Sequence, residues 1–411
     1  MIEHFFSDPK LLGRCRSGPL GPHMDGFASL LVRKGYTRYS GHGILRIVIQ
    51  LNEWLTAKHL RLQELNEYLI SAFREHRRKR LRSHHGERGT CRLLLRTLRE
   101  ERLIPEARDE ALNNPIDLLV RSYGRYLVEE RALSQSTISH RLPVVREFLS
   151  HRFKSKKLRL RSLRPGDVSR FVLQTVRHRG RDHAQVVTTT LRSFLDFLCQ
   201  EGRLTSRLRA AVPTVASWRR LDLPGFLEPN EVERLLRSCD RSNVCGRRDY
   251  AILLLLARLG LRAHEVRYLT LDDIQWASGE VLIRGKGGRE DRLPLPPDVG
   301  RAVAAYLKEG RPRCSCRWVF VRLPAPHEGL TGPTIASVVE RALIRARISS
   351  THKGAHLLRH SLATRMLRGG ASLTQIGQIL RHQRTDTTEI YARVDQKTLR
   401  ALAQPWPGGV R

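Results

Sequence analysis

Apolar residues recur at helical spacing along most of this 411-residue chain, and this pattern limits the fold more than any other feature. The segment YSGHGILRIVIQLNEWL places apolar side chains on one helical face, and the later pattern CRLLLRTLREERLIP stops at Pro105. Two further helices are predicted at 297–309 and 331–347. A different pattern occurs in EVLIRGKGGREDRLPL, where two short β-like runs flank a Gly-Lys-Gly-Gly turn. The sequence therefore predicts a mainly α protein whose last third is an α+β domain with one small antiparallel β-sheet.

The charge balance indicates the class of partner. The chain has 74 Lys and Arg residues against 40 Asp and Glu residues, a formal net charge of +34. The excess is spread over the chain, with +8 in residues 1–112, +14 in 113–221 and +12 in 222–411. A folded protein that is basic throughout attracts polyanions, so nucleic acid or an anionic membrane surface is expected.

Location is predicted from the termini, the apolar runs and the cysteines. The first residues, MIEHFFSDPKLLGRCRSG, lack the basic and apolar regions of a secretory signal. The run AILLLLARLGL is too short to span a bilayer and predicts a buried helix. Seven cysteines without framework spacing suit a reducing cytoplasm. Four of them match no common zinc pattern and are interpreted as ordinary thiols: Cys239, Cys245, Cys314 and Cys316.

Composition shifts divide the chain into segments. Residues 1–25 are rich in glycine and proline and predict an irregular lead-in. Two helical modules follow at 26–112 and 113–217, and a weak similarity about 98 residues apart suggests that one duplicates the other. Unrelated helical modules would align about as well, so both interpretations remain open. A linker is predicted at 218–227, a catalytic domain at 228–400 and a tail at 401–411.

Basic residues and one tyrosine recur in order through the last region. Arg262 follows a glycine break, Lys286 lies at the hairpin tip, and His356 and Arg359 share a helical face. Cutting a phosphodiester without a metal ion requires stabilised non-bridging oxygens, a positioned nucleophile and a protonated leaving oxygen. Arginines can clamp the phosphate, imidazoles and lysine can move protons, and a tyrosine can attack. The candidate set is Arg262, Lys286, His356, Arg359, His382 and Tyr391.

Each member of this set also has an ordinary structural interpretation. An arginine in so basic a chain commonly contacts a phosphate or solvent, and Gly-Lys-Gly is common in hairpin turns. His356 and His360 have the spacing of a helical zinc pair, but Leu357 stands where the motif needs glutamate. Tyr391 alone would be a half-buried core aromatic. Only the joint order and spacing favours catalysis.

The region 222–400 resembles the catalytic domain of the tyrosine recombinases, also called the phage integrase family. The family's boxes correspond to GLRAHE, GKGGREDRLPL, HLLRH and LRHQRTDTTEIY. The resemblance implies that Tyr391 is the nucleophile and that Glu265 orients Arg262. The activating residues that it implies are Arg262, Lys286, His356, Arg359 and His382. Two departures stand out: Arg381 replaces the usual glycine before the last histidine, and Leu259 replaces a small or hydroxyl residue.

The resemblance also implies an activity and its partners. Helical DNA-binding domains and the catalytic domain would form a C-shaped clamp on a double-stranded DNA recombination site. Tyr391 would form a 3′-phosphotyrosyl bond, and a 5′ hydroxyl would then reverse the reaction, with no metal, nucleotide or other cofactor. Four protomers would assemble on two duplexes, with partner recombinases or accessory proteins in some systems. The tail ARVDQKTLRALAQPWPGGVR would dock on a neighbouring protomer.

Two other functions fit the same residues. A type IB topoisomerase shares the chemistry but relaxes DNA without recombining two sites. A DNA-binding accessory protein could keep the fold without activity, and Arg381 beside the site keeps this alternative open. The expected location is the bacterial cytoplasm in association with the nucleoid, while the DNA site and the type of mobile or chromosomal element are not indicated.

Overall fold

The mainly helical architecture predicted from the apolar periodicity is confirmed. The computed structural model describes residues 1–80, 86–106, 114–153, 158–204, 208–215, 225–285, 288–382 and 386–391. Within these ranges the helices are α1 (Pro9–Arg16), α2 (Met24–Arg33), α3 (Arg38–Ala57), α4 (Glu67–Arg80), α5 (Glu87–Glu100), α6 (Pro115–Glu129), α7 (Gln135–Phe153), α8 (Pro165–Gln200), α9 (Pro229–Arg237), α10 (Val244–Arg258), α11 (Ala263–Arg267), α12 (Pro297–Glu309), α13 (Gly332–Arg345), α14 (Ala355–Arg368), α15 (Leu373–Ile379) and α16 (Asp386–Glu389).

The predicted hairpin forms the centre of a small sheet. Strand β1 (Ile274–Gln275) pairs with β2 (Glu280–Arg284), which pairs with β3 (Glu290–Pro294), and both pairings are antiparallel. Val281 and Ile283 alternate toward the core along β2 because successive side chains of a strand point to opposite faces. Lys286 at the hairpin tip lies outside the described residues.

The prediction of an irregular lead-in over residues 1–25 is wrong. Helix α1 begins after Asp8, whose side chain accepts a hydrogen bond from the Lys10 backbone N–H at 2.9 Å, and Pro9 occupies a first-turn position that needs no N–H donor. The glycines and prolines that suggested a loop instead delimit short helices. The segment's apolar side chains lie in the core of residues 1–105, here called the amino-terminal module: Ile2, Phe5, Phe6, Cys15, Leu20 and Met24.

The described chain divides into two compact units, one formed by Met1–Pro105 with Arg220–Arg411 and the other by Glu106–Arg219. In the second unit, α6, α7 and α8 pack around a core that contains Tyr123, Phe194 and Phe197. Gly180 interrupts α8 with a φ of 78°, a conformation that glycine adopts without steric cost.

In the first unit, α10 is the central helix of the carboxy-terminal region. Its residues from Ala251 to Leu256 are all buried, as expected for a helix that is apolar on every side. Helices α12, α13 and α14 pack against it. The amino-terminal module joins this region where the His327 backbone N–H donates to the Lys34 carbonyl oxygen at 3.2 Å.

Most segment boundaries stay predictions. The predicted linker at 218–227 lies largely outside the described residues, as does the tail at 401–411. Duplication of the two helical modules also stays a prediction. Among the helices that the structure describes, none is long and apolar enough to cross a membrane.

Candidate active site

The turn before α11 sets the position of Arg262. Gly260 has a φ of 58°, and a side chain there would approach a methyl carbon of Leu380 to 2.7 Å. Glycine therefore permits both the left-handed turn and the close approach. The turn places Arg262 at the amino-terminal cap of α11, with Glu265 in the first helical turn.

Glu265 holds Arg262, as the family resemblance implies. The Arg262 backbone N–H donates to Glu265 Oε2 at 2.9 Å, and Arg262 Nη1 donates to Oε1 at 2.7 Å. The Glu265 side chain has no solvent exposure. Burial would raise the pKa of this carboxyl, but the charge of Arg381 and the hydrogen bonds from Arg262 lower it below its ordinary value. Glu265 is therefore a buried anion that orients Arg262.

Three arginines converge on the carboxyl end of α15. The last carbonyls of a helix lack intrahelical partners, and here consecutive ones accept hydrogen bonds from guanidinium groups. Arg381 Nη1 donates to the Ile379 oxygen at 3.1 Å, Arg359 Nη2 donates to the Leu380 oxygen, and Arg262 Nη2 donates to the Arg381 oxygen at 3.3 Å. One helix end thus gathers arginines from α11, α14 and its own cap.

Arg359 is the most deeply buried of these arginines, with a relative exposure of 3%. Its Nη1 donates to the Gly260 carbonyl oxygen, so it connects the turn before α11 with the end of α15. Burial lowers the pKa of its guanidinium to about 10, and the charges of Arg262 and Arg381 contribute. Arg359 therefore keeps its charge at neutral pH.

The end of α15 also explains the backbone at residue 381. The Arg381 N–H donates to the Gln378 oxygen, and the His382 N–H donates to the Gly377 oxygen, which together form a Schellman cap. Arg381 adopts the left-handed conformation of this cap with a φ of 56°. Glycine is favoured there, since a left-handed residue with a side chain costs roughly 1–2 kcal/mol. The departure noted in the sequence therefore falls at a glycine-type position.

Tyr391 is buried beside these arginines. Its relative exposure is 1%, and it packs with Leu362, Ile376 and Leu380. Burial raises the pKa of its hydroxyl to about 12, although the charges of Arg359 and Arg262 act in the opposite direction. The sequence allowed Tyr391 to be either a core aromatic or a reactive group. In the structure it is a core aromatic that also lies next to the candidate cations.

His360 contacts the Tyr391 hydroxyl and was not among the predicted site residues. Its Nδ1 lies 2.8 Å from the hydroxyl oxygen. Burial lowers the pKa of His360 to about 4, with His356 and Arg359 contributing, so the ring is neutral at pH 7 and forms a hydrogen bond with the hydroxyl. The signal in the sequence is the second histidine of HLLRH, whose spacing from His356 suggests only a helical zinc pair.

His382 lies on the other side of the tyrosine. The two rings are nearly parallel, with an interplanar angle of 8° and centroids 6.2 Å apart. His382 Nδ1 lies 2.6 Å from the Thr388 hydroxyl oxygen on α16. Burial and the charges of Arg359 and Arg262 lower the pKa of His382 to about 4, so this ring too is neutral at pH 7.

The remaining predicted residues occupy distinct places. His356 is exposed on α14, with its ring centroid 6.3 Å from that of His360.

A cavity of about 750 Å³ lies beside the site, and Arg262, Arg381 and His382 line it. Among the described residues, no three His, Cys, Asp or Glu side chains converge as a metal site requires. The cavity can thus hold an oxyanion through guanidinium and imidazole groups, with a tyrosine behind His382.

We expect His360→Phe to lower the unfolding free energy by about 1–3 kcal/mol, because the buried Tyr391 hydroxyl loses its hydrogen-bond partner while an aromatic ring is kept. Chemical denaturation measures this effect. His140→Phe, at an exposed position of α7, is the matched control and should leave stability within about 0.5 kcal/mol of the wild type. Equal stability of both variants would contradict the assigned hydrogen bond.

Comparison with known proteins shows similar sequences along most of the chain. The model of the phage integrase family matches residues 225–398, a range that contains every candidate site residue. The putative integrase/recombinase y4rA of Sinorhizobium fredii (strain NBRC 101917 / NGR234) is 43% identical over 415 residues, which cover 99% of each chain. The tyrosine recombinase XerD of Listeria monocytogenes serotype 4b (strain F2365) is 31% identical over 288 residues, covering 69% of this chain and 96% of XerD.

A solved structure has the same fold over most of its length. The crystal structure of the XerH site-specific recombinase, bound to palindromic difH substrate as a post-cleavage complex, aligns with a TM-score of 0.55. The alignment covers 70% of this chain and 96% of that chain at 18% sequence identity, so it shows similarity of fold alone.

Proposed function

Because this chain belongs to the phage integrase family, we propose that it is a tyrosine-type site-specific DNA recombinase with Tyr391 as its nucleophile. The observation that carries the proposal is the convergence of Arg262, Arg359 and His382 at one helix end beside the Tyr391 side chain. Cations gathered beside a hydroxyl nucleophile suit phosphoryl transfer without a resident metal ion.

The proposed reaction assigns one role to each group. The guanidinium groups of Arg262 and Arg359 neutralise charge on the non-bridging oxygens, and neutral His382 donates a hydrogen bond to the same phosphate. The Tyr391 oxygen attacks phosphorus and releases its proton to solvent, the bond to the 5′ oxygen breaks, and a 3′-phosphotyrosyl bond forms. Lys286 protonates the leaving 5′ oxygen, and His356 hydrogen-bonds the phosphate.

His360 serves as an anchor for the nucleophile in this scheme. A ring with a pKa of about 4 is a weak base for a phenol with a pKa of about 12, so the pair is a hydrogen bond without proton transfer. Attack requires the Tyr391 hydroxyl to exchange this bond for the phosphate. The resting chain therefore keeps its nucleophile neutral and enclosed.

The DNA partner follows from the charge and the site together. Duplex DNA is the polyanion that presents phosphodiesters for strand exchange, and the basic residues are spread over both units. We assign residues 113–217 and 228–400 to DNA binding, and residues 26–112 to a further DNA-binding module. Four protomers would hold two duplexes, with residues 392–411, which lie outside the described ranges, linking neighbours.

A recombination assay tests the function. The cognate site is first selected from randomised duplexes with the binding-competent Tyr391→Phe variant, and two copies are then placed on one plasmid. The wild type is expected to delete or invert the DNA between the copies. Relaxation of supercoils without rearrangement would instead indicate topoisomerase activity, and binding without either product would indicate an accessory protein.

Affinity for DNA should depend steeply on salt. If about 6–10 phosphates are contacted, the dissociation constant rises roughly 10³–10⁵-fold between 50 and 200 mM salt, because each contact releases counterions. Fluorescence anisotropy with labelled duplex at a series of salt concentrations gives the slope. A dissociation constant that is nearly independent of salt would contradict the proposed phosphate contacts.

A further inference from the structure

Arg381 has a strained backbone and a buried donor without a partner in the described part of the chain, and packing explains neither. Its backbone occupies the left-handed position of a helix cap that favours glycine, with a φ of 56°. Its side chain is only 7% exposed, and Nε is buried without a hydrogen-bond partner among the described residues. A strained backbone and an unsatisfied donor at one residue of a candidate site point to a role in the chemistry.

Two other arginines show what an ordinary residue does at this kind of position. Arg102 and Arg347 also have positive φ after helices α5 and α13, with values of 56° and 52°. Both side chains are exposed, and no buried carboxylate pairs with either of them in the described structure. The left-handed backbone is therefore tolerated elsewhere, but the buried ion pair distinguishes Arg381.

The contacts of Arg381 connect the two parts of the site. Its Nη2 donates to Glu265 Oε2 at 2.9 Å, the oxygen that also accepts the Arg262 backbone N–H. Its own carbonyl oxygen accepts from Arg262 Nη2, and the next residue in the chain is His382. Arg262 is thus held by Arg381 twice, directly through a carbonyl and indirectly through the shared carboxylate.

We propose that Arg381 is a positioning residue of the cleavage reaction, which fixes Arg262 and His382 relative to each other through the buried Glu265 carboxylate. Arg381 also supplies a second cation to Glu265, so Arg262 can turn part of its guanidinium toward a phosphate without leaving the carboxylate uncompensated. This inference rests on the proposed function, and it concerns a residue that the proposed reaction does not use.

The test compares single-turnover cleavage of a nicked duplex by full-length variants at saturating DNA. Arg381→Gly keeps the favoured cap conformation and removes the side chain, and we expect its cleavage rate to fall roughly 10- to 100-fold, as small misplacements of reacting groups do. Its dissociation constant for DNA should change less than about threefold, since the residue acts on the rate through Glu265 and Arg262. Arg381→Lys, which can still reach Glu265, should recover most of the rate.

Arg347→Gly is the matched control, because it makes the same exchange at the same kind of cap away from the site. It should cleave at the wild-type rate. Glu265→Gln supplies a second readout: in that background, Arg381→Gly should slow cleavage much less than it does in the wild type, because the two residues act through one contact.

The outcomes separate this inference from the proposed function. Absence of cleavage by the wild type on a selected site would reject the proposed function itself. Wild-type cleavage with equal or faster cleavage by Arg381→Gly would overturn the positioning role alone. Weakened DNA binding that accounts for the whole loss would overturn it as well, as would unfolding of both Arg381→Gly and Arg381→Asn, which would show that the ion pair serves stability.

Discussion

Tyr391→Phe is expected to abolish covalent attachment to DNA, with cleavage reduced by at least about 10³-fold, because the substitution removes the attacking oxygen. The ring is kept, so its packing against Leu362, Ile376 and Leu380 is preserved. The variant should therefore fold and bind DNA as the wild type does. Denaturing electrophoresis of a labelled nicked substrate measures the adduct directly.

The control for this prediction is Tyr306→Phe, a second buried tyrosine in the same catalytic region. Its hydroxyl accepts a hydrogen bond from the Val321 backbone N–H at 3.3 Å, so the loss should affect stability and leave attachment intact. An adduct that persists in Tyr391→Phe at the wild-type level would identify a different nucleophile.

Arg359→Lys is expected to have the second largest effect. The buried guanidinium donates to the Gly260 and Leu380 carbonyl oxygens and so joins the turn before α11 to the end of α15. A lysine cannot span both acceptors with the same geometry. We expect cleavage to fall about 10²–10³-fold, the loss typical of removing one preorganised donor, and the unfolding free energy to fall by about 3 kcal/mol.

Arg365→Lys is the matched control on the same helix, because its side chain is exposed. It should leave both cleavage and unfolding close to wild type. Slower cleavage by Arg359→Lys is separated from its lower stability by measuring cleavage well below the melting temperature of the variant, where folded protein predominates. If the folded variant cleaved at the wild-type rate, Arg359 would be a structural arginine without a role at the phosphate.

The helix end that collects the arginines brings motifs that are distant in the sequence to one place. Carbonyl oxygens at the end of α15 need donors, and phosphate needs cations, so in the proposed reaction the same guanidinium groups would serve both partners. Arg262 and Arg359 come from sequence positions 97 residues apart, yet both reach consecutive carbonyls. The site is preorganised by backbone acceptors that are present before DNA arrives.

The fold was predictable where one local pattern dominates. Helix α12 has the predicted bounds 297–309, and α10 is buried as its apolar run indicates. Strands β2 and β3 pair on either side of the Gly-Lys-Gly-Gly sequence, as predicted. The prediction of an irregular segment at residues 1–25 was wrong because glycine and proline mark helix ends as well as loops. Whether short helices then pack depends on distant partners, such as the core that covers Ile2 and Phe5.

The site was predictable only in part, for a related reason. Order and spacing indicated Arg262, His382 and Tyr391, and the family resemblance implied the contact of Glu265 with Arg262. The bond between His360 and Tyr391 joins residues 31 positions apart, so no local pattern reveals it. The ion pair of Arg381 spans 116 positions, and sequence alone left that arginine without a partner.

The most direct measurement of the central claim is mass spectrometry of the covalent product after trypsin digestion. The wild type is incubated with a nicked duplex that carries the selected site, and the DNA-linked peptide is sequenced. The account predicts one conjugate, on the peptide of residues 385–393, with the 3′ phosphate on Tyr391, its only tyrosine. A conjugate on another residue, or none with DNA that the wild type binds, would contradict it.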